Sequence, residues 1–318
     1  SSTTCDHTVA TTASRGGMVP GGGTAVTDTP DPKLRPRRSV LYMPGSNARA
    51  MEKAASLPAD ALILDLEDAV APDAKATARQ QVTDAVGNGY GHREVAIRVN
   101  GLSTPWYGDD LDTIAEASPD AVLIPKVNNA EDVTRIEADL ADAGVADSVR
   151  MWAMLETPEA VLSAASICAA SDRLEVLVMG TNDLITELQV SNVEGRLPLI
   201  TSLSWCVLAA RRSGKAIIDG VYNDLADLEG FVAECQQGLE LGFDGKTVIH
   251  PRQLNDANRI FAPSDEQIAA AHQVVEAFRD AQEAGEGVAT VDGQMVEELH
   301  VRQAQRLIAK AERIAALD

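Results

Sequence analysis

Eight times between Val40 and Pro251 a short apolar run stops abruptly on a polar or charged residue and gives way to a helix-forming stretch. The runs occupy residues 40–44, 61–65, 95–99, 121–126, 151–156, 174–180, 216–219 and 247–250. Unbroken apolar runs, unlike alternating ones, mark strands buried on both faces, as a parallel sheet covered by helices requires. Eight of them predict an α/β chain closed into a (β/α)₈ TIM barrel, whose catalytic groups gather at the C-terminal strand ends. A doubly wound open sheet also alternates strand and helix, but it favours a Gly-rich phosphate turn after its first strand. Neither G-x-G-x-x-G nor a Walker sequence occurs.

A barrel of this kind takes about 250 residues. The 318 residues therefore leave room for appendages, and 45% hydrophobic content can fill a large core. Residues 1–36 are rich in Ser, Thr, Gly and Pro and are expected to form a disordered tail. A mitochondrial transit peptide should be Arg-rich, and only Arg15 precedes Lys33. The barrel is expected over residues 37–262. Beyond it, residues 263–318 form an extension: helices near 265–284 and 296–317 joined by a hairpin signalled by Asp292-Gly293. Such an extension can cap the barrel mouth or reach a neighbouring subunit.

The net charge of −21 argues against a nucleic-acid surface, which needs clustered Lys and Arg. No apolar run approaches a transmembrane length, and no secretory h-region opens the chain. Cys5, Cys168, Cys206 and Cys235 are scattered without a C-x-x-C pair, and the last three fall in helical patterns as buried thiols of a reducing compartment. The expectation is a soluble cytoplasmic protein.

The strand ends carry the chemistry. Glu156 and Asp183 close the fifth and sixth runs, at one rim, where two carboxylates with room for water suit Mg²⁺. A capping role is the plain alternative for an acid in such a place. Asp65, Glu67 and Asp68 follow the second run, and so many acids at one mouth repel unless a cation or an Arg stands among them. Arg98, ending the third run, can pair with Asp65 or Glu67, hold a substrate carboxylate or stabilise an oxyanion. Asp219 loads the seventh strand end. Lys126 can be read as a Schiff-base lysine, but pairing with the acidic cluster is the stronger reading. His250, before Pro251, is expected to hydrogen-bond locally.

Taken in order, Arg37-Arg38-Ser39-Val40-Leu41-Tyr42-Met43-Pro44-Gly45-Ser46, Leu64-Asp65-Leu66-Glu67-Asp68, Ile97-Arg98-Val99-Asn100, Ile124-Pro125-Lys126-Val127, Leu155-Glu156-Thr157-Pro158 and Gly245-Lys246-Thr247-Val248-Ile249-His250-Pro251 resemble the citrate lyase β-subunit superfamily. The resemblance is strongest to its malyl-CoA and citramalyl-CoA lyase branch and spans roughly residues 35–317. It implies a (β/α)₈ barrel, Mg²⁺, a CoA thioester with a small 2-oxo acid, and a homotrimer or homohexamer. Carried over by motif, Glu156 and Asp183 are the Mg²⁺ ligands and Arg98 contacts the substrate carbonyl. Tyr42 and Lys53 line the CoA site, and Asp65, Glu67 and Asp68 belong to the substrate-facing rim. Asn47 stands where some malyl-CoA lyases have an arginine, a loss for which Arg37 and Arg38 are candidate replacements, with surface placement the plain alternative for both. Glu297 falls where several lyases place an aspartate, in the segment that closes a neighbour's site. It is the expected acid for protonating a thioester enolate.

The activity implied is Mg²⁺-dependent cleavage, or formation, of the central carbon–carbon bond of malyl-CoA or citramalyl-CoA, giving acetyl-CoA with glyoxylate or pyruvate. A malyl-CoA thioesterase on the same scaffold and the β subunit of a citrate lyase are the alternatives. A catalytically silent barrel is disfavoured by Glu156, Asp183 and Arg98 together.

Overall fold

A computed structural model describes residues 35–285 and 287–317. Of the tail expected over residues 1–36, residues 1–34 lie outside the described residues. Arg35 already belongs to the barrel, where its guanidinium donates to the carbonyl of His92 at 3.3 Å.

Eight parallel strands close on themselves in sequence order. They are β1 (Ser39–Pro44), β2 (Ala61–Asp65), β3 (Glu94–Arg98), β4 (Ala121–Ile124), β5 (Arg150–Leu155), β6 (Leu174–Met179), β7 (Ala216–Asp219) and β8 (Gly245–Val248). The (β/α)₈ expectation is met, with strands ending up to two residues before the apolar runs do. β4 stops at Ile124 because Pro125 has no N–H to donate to the ladder. The residues beyond the ladder, including Lys126, Glu156 and Gly180, stand on the rim.

Alternation along each strand sorts the side chains into two layers. Val40, Ile63, Ala96, Leu123, Trp152, Met154, Val178 and Ile218 fill the pore of the barrel. Leu41, Leu62, Leu64, Ile97, Val122 and Leu177 point outward into the larger core beneath the helices. Both layers are apolar, which is why the sequence showed unbroken runs. The strands are separated by α1 (Ala48–Ala54), α2 (Lys75–Asn88), α3 (Tyr107–Ala117), α4 (Ala130–Asp142), α5 (Pro158–Ala169), α6 (Thr181–Glu187), α7 (Ile200–Ser213) and α8 (Leu228–Leu241), and α9 (Leu254–Phe261) follows β8.

The floor of the barrel, at the N-terminal strand ends, is closed by ion pairs. Arg37 grips Glu94 through two bonds of 2.6 and 2.8 Å, and its guanidinium lies 5.6 Å from the Trp152 ring centroid. Arg38 holds Asp60 at 2.8 and 2.9 Å. Both arginines are buried. They are therefore neither surface groups nor replacements for a phosphate-binding arginine at the mouth, and that expectation is corrected.

The extension forms as expected. α10 (Asp265–Glu283) begins with a reciprocal capping box between Ser264 and Gln267. The hairpin of β9 (Ala289–Val291) and β10 (Gln294–Val296) turns at Asp292 and Gly293, both at positive φ (50° and 77°), the signature of a two-residue turn matched to strand twist. α11 (Glu298–Ala315) returns along α10, and Phe278, Ala281, Ala289, Val296 and Val301 make a small core between them. Far along α11, the Lys310 ammonium is lowered by burial and feels the charges of Asp244, Arg211, Asp60 and Arg38. Asp244, Asp60 and Arg38 immediately precede β8, β2 and β1, so α11 reaches the floor side of its own barrel. Among the described residues no helix is long and apolar enough to cross a membrane.

Candidate active site

At the C-terminal strand ends a cavity of about 360 Å³ opens between β1, β2, β3, β5, β6 and the loops after β7 and β8. Its polar wall comprises Tyr42, Asp65, Asp68, Arg98, Glu156, Thr181, Asn182, Asp183, Asn223 and Thr247, and Met154, Met179, Val221 and Ile249 supply the apolar wall.

Arg98 is the centre of its positive charge. Asp65 and Arg98 lie directly opposite one another in the β2–β3 register, and both follow the inward parity set by Ile63 and Ala96. The result is a bidentate pair with both bonds at 2.7 Å. Arg98 Nη1 lies 3.1 Å from Glu67 and 3.5 Å from Asp68, and the guanidinium stacks 5.1 Å from the centroid of Tyr42. Asp65 also accepts the backbone N–H groups of Glu67 and Ala69 at 2.9 and 3.0 Å. With both oxygens occupied, Asp65 orients Arg98 and the loop and has little capacity left for a ligand.

The second half of the site is held by Glu156 and Asp183. Glu156 continues the inward parity of Met154, and its Oε1 accepts the backbone N–H of Lys126 at 2.8 Å. Gly180 lets this carboxylate in: a Cβ there would lie 2.4 Å from Glu156 Cβ and 2.5 Å from Oε2. Asp183 stands in the first turn of α6, partly exposed, and Lys126 Nζ approaches it at 3.5 Å. Lys126 thus pairs with the acids, as expected for it.

The mouth is short of positive charge. Among the described residues, Asp65, Glu67, Asp68, Glu156 and Asp183 pair with Arg98 and Lys126, and Lys75, held by the β2 loop carbonyls, is a third cation near three of these five acids. Burial, and then the charge of Asp183, pushes Glu156 up to about 7, although the Lys126 N–H and the Arg98 and Lys126 charges oppose the rise. Burial pushes Glu67 up to about 8 despite Arg98. Two raised carboxyls beside a cavity are the electrostatic trace of a site that gains from one more cation. Among the described residues no group of three or more His, Cys, Asp or Glu side chains is arranged to hold a metal. Glu156 and Asp183 line one cavity as two hard oxygen donors, the donor chemistry that suits Mg²⁺, an ion that keeps several waters in its shell.

The chain belongs to the HpcH/HpaI aldolase/citrate lyase family. The family model matches residues 38–251. A (3S)-malyl-CoA thioesterase of Cereibacter sphaeroides is 50% identical over 285 residues, covering 89% of this chain and 98% of the relative. An L-malyl-CoA/beta-methylmalyl-CoA lyase of the same species is 33% identical over 312 residues, covering 90% and 98%. The crystal structure of CitE from Mycobacterium tuberculosis with magnesium, acetoacetate and coenzyme A superposes with a TM-score of 0.71 at 28% identity, covering 88% of this chain and 99% of that one.

Of the residues anticipated for a family member, Tyr42, Asp65, Asp68, Arg98, Glu156 and Asp183 line one cavity, with Glu67 behind Arg98. Lys53 and Glu297 are not brought to it. Lys53 is exposed in the last turn of α1, and Tyr42 lies in the cavity wall under Arg98, so the structure does not join them in one surface. Glu297 is the N-cap of α11, where its backbone carbonyl accepts the N–H of His300 at 2.9 Å and the His300 Nδ1 accepts from the Glu297 N–H at 3.0 Å. His250 makes the local bond anticipated for it, its Nδ1 accepting from Arg252 N–H at 3.1 Å. Sequence reasoning missed Lys75, whose Nζ fastens the carbonyls of Leu66 and Glu67 and the Asn100 amide oxygen, all at 2.7 Å. A signal was present: a lysine in the first turn of a helix opposes the macrodipole and needs another reason to be there. Asn182 and Asn223, which pair across the rim at 2.7 Å, had no such signal.

Proposed function

We propose that the chain hydrolyses the thioester of a (3S)-malyl-CoA-type substrate, releasing free CoA and malate, with Mg²⁺ held by Glu156 and Asp183. The observation that carries this reading is the 50% identity with a (3S)-malyl-CoA thioesterase along nearly the whole of both chains, against 33% for the lyase. Carbon–carbon cleavage, favoured by the motif resemblance, becomes the second reading.

The residues supply a consistent chemistry. When bound, Mg²⁺ supplies Lewis acidity to the oxygens of the malyl group. Arg98, fixed by Asp65 and the Tyr42 ring, offers its Nη1 edge to the thioester carbonyl oxygen as negative charge develops there. A water oxygen bonds to the carbonyl carbon, the carbon–sulfur bond breaks, and the water's proton passes to the departing thiolate. Glu67, raised to about 8, is the acid beside Arg98 able to exchange that proton near neutral pH. Hydrolysis requires no proton donor to carbon, so it proceeds without Glu297. A lyase needs one, and because Glu297 is not in its own chain's cavity a second copy in a homotrimer or homohexamer must supply it.

Incubation with Mg²⁺ and malyl-CoA or citramalyl-CoA, with and without EDTA, followed by mass analysis, tests the reading. Free CoA with malate, lost on chelation, is expected. Acetyl-CoA with glyoxylate or pyruvate would replace it with the lyase, and no turnover of a free CoA ester would point to a β subunit that needs partner chains.

A further inference from the structure

Lys126 touches both carboxylates assigned to the metal, by two different atoms. Its backbone N–H donates to Glu156 at 2.8 Å, and its ammonium lies 3.5 Å from Asp183. The geometry that allows this is a costly one. Lys126 has φ +52°, a left-handed conformation that a non-glycine residue adopts only where its surroundings impose it. Pro125 ends the β4 ladder immediately before, so the kink turns the next N–H sideways toward β5 in place of continuing along β4. The Lys126 side chain is 57% exposed and the Asp183 side chain 41%. The ion pair is accordingly loose and solvated, unlike the buried grip of Asp65 on Arg98.

We propose that Lys126 is the resident counter-cation of the Glu156 and Asp183 pair, a positioning residue that keeps both carboxylates facing each other in the metal-free enzyme and surrenders Asp183 when a divalent cation arrives. This rests on Glu156 and Asp183 being the metal ligands, as proposed above, and holds for hydrolysis and carbon–carbon cleavage alike. Two acids that close repel, and without a local positive charge the partly exposed Asp183 swings to solvent. A weak ammonium contact suits the task. It holds Asp183 in place, yet a divalent cation displaces it at small cost because the long lysine side chain is rehydrated at once. Arg98 does not substitute, since Asp65 fixes its Nε and Nη2 and its remaining edge, Nη1, lies beside Glu67 and Asp68.

The consequence is a competition between the ammonium and the metal, readable without turnover. Mn²⁺ binding to metal-free protein, followed by electron paramagnetic resonance, is compared for wild type, Lys126→Gln, Lys126→Arg and Asp183→Asn, together with metal-free thermal midpoints. Lys126→Gln removes a like charge beside the ion and is expected to bind Mn²⁺ about three- to tenfold more tightly, with Lys126→Arg near wild type. Its metal-free midpoint is expected to fall, and the fall should vanish when Asp183→Asn is already present. A purely structural lysine would lower the midpoint in both backgrounds without tightening the metal. Unchanged Mn²⁺ affinity in Lys126→Gln, with binding lost in Asp183→Asn, overturns this role and leaves the metal ligands standing. Failure of both wild type and Lys126→Gln to bind Mn²⁺ overturns the role and the ligand assignment together.

Discussion

Two acid–base pairs lie in register across neighbouring strands of this barrel. Asp65 faces Arg98 between β2 and β3, and Asp219 faces Lys246 between β7 and β8. Asp65, Arg98 and Asp219 close their strands, whereas Lys246 opens β8, and in sequence both acids look like loaded ends of a catalytic barrel. They differ by one residue of strand parity. Asp65 and Arg98 follow inward-facing Ile63 and Ala96, whereas Asp219 follows inward-facing Ile218 directly and so points outward, under α8. There Lys246 donates to Asp219 at 3.1 Å and to Glu234 at 2.7 Å, and Arg196 binds Asp219 at 2.8 and 3.0 Å. Two acids meet two cations. Burial alone would push Asp219 up, but Lys246 and Arg196 hold its carboxyl below the usual range. At the mouth the acids outnumber the cations and burial wins, so Glu67 and Glu156 are raised. A buried charge cluster that balances itself is a structural tie, and one that does not is a place prepared for something else.

The largest expected effect breaks the balanced cluster. Asp219→Ala strands Arg196 and Lys246 in a dry interface, a loss of about 3–5 kcal/mol, measurable by urea unfolding. The pH dependence has a fixed sign. Asp219 titrates lower folded than unfolded, so its contribution is present above the unfolded carboxylate pKa and disappears as pH falls through the folded one. Acid unfolding of the wild type and pH-insensitive weakness of the variant are the paired expectation.

At the mouth the same kind of change costs activity and spares the fold. Asp183→Asn or Glu156→Gln should reduce Mg²⁺-dependent turnover by more than the roughly 10–100-fold that loss of a partner outside the ligand shell costs, while urea midpoints stay near wild type. A fully active variant removes the metal assignment. Glu67→Gln sharpens the contrast further, since neutralising a raised acid should stabilise. Glu67 shifts from the ordinary 4.5 to about 8 in the fold, so the stability it lends is complete below about 4.5 and is lost as pH rises through 8. The variant should gain on wild type across that window, and a midpoint difference that does not grow with pH argues against a charge-starved mouth.

Parity explains how much could be read in advance. The barrel was legible because double burial writes each strand as an unbroken apolar run, and Arg98, Glu156 and Asp183 were legible because they interrupt, end or closely follow those runs. Asp219 interrupts a run equally and proved structural, because a run apolar on both faces conceals which residues point inward. The Arg37 and Arg38 ties were hidden for a different reason: their partners Glu94 and Asp60 are 57 and 22 residues away, and only closure of the barrel floor brings them together. Lys126 was legible as a partner of acids but not as the donor to Glu156, which depends on a backbone turn at positive φ that no side-chain pattern reports.

The smallest expected effect concerns Glu297, and it separates the two readings of the mouth. On its own chain Glu297 caps α11, is exposed and does not line the cavity, so under the carbon–carbon cleavage reading a second copy would have to supply it. Thioester hydrolysis places its proton on sulfur and has no use for an acid near the α-carbon; enolate release places it on carbon and does. Glu297→Gln leaves the backbone bonds to His300 in place and should cost about 1 kcal/mol of helix stability or less. If the mouth hydrolyses, the rate of free-CoA release should stay within about twofold of wild type, a barrier change well under 1 kcal/mol. A hundredfold loss with unaltered thioester binding would instead make Glu297 a proton donor in trans and restore carbon–carbon cleavage as the reaction of this barrel.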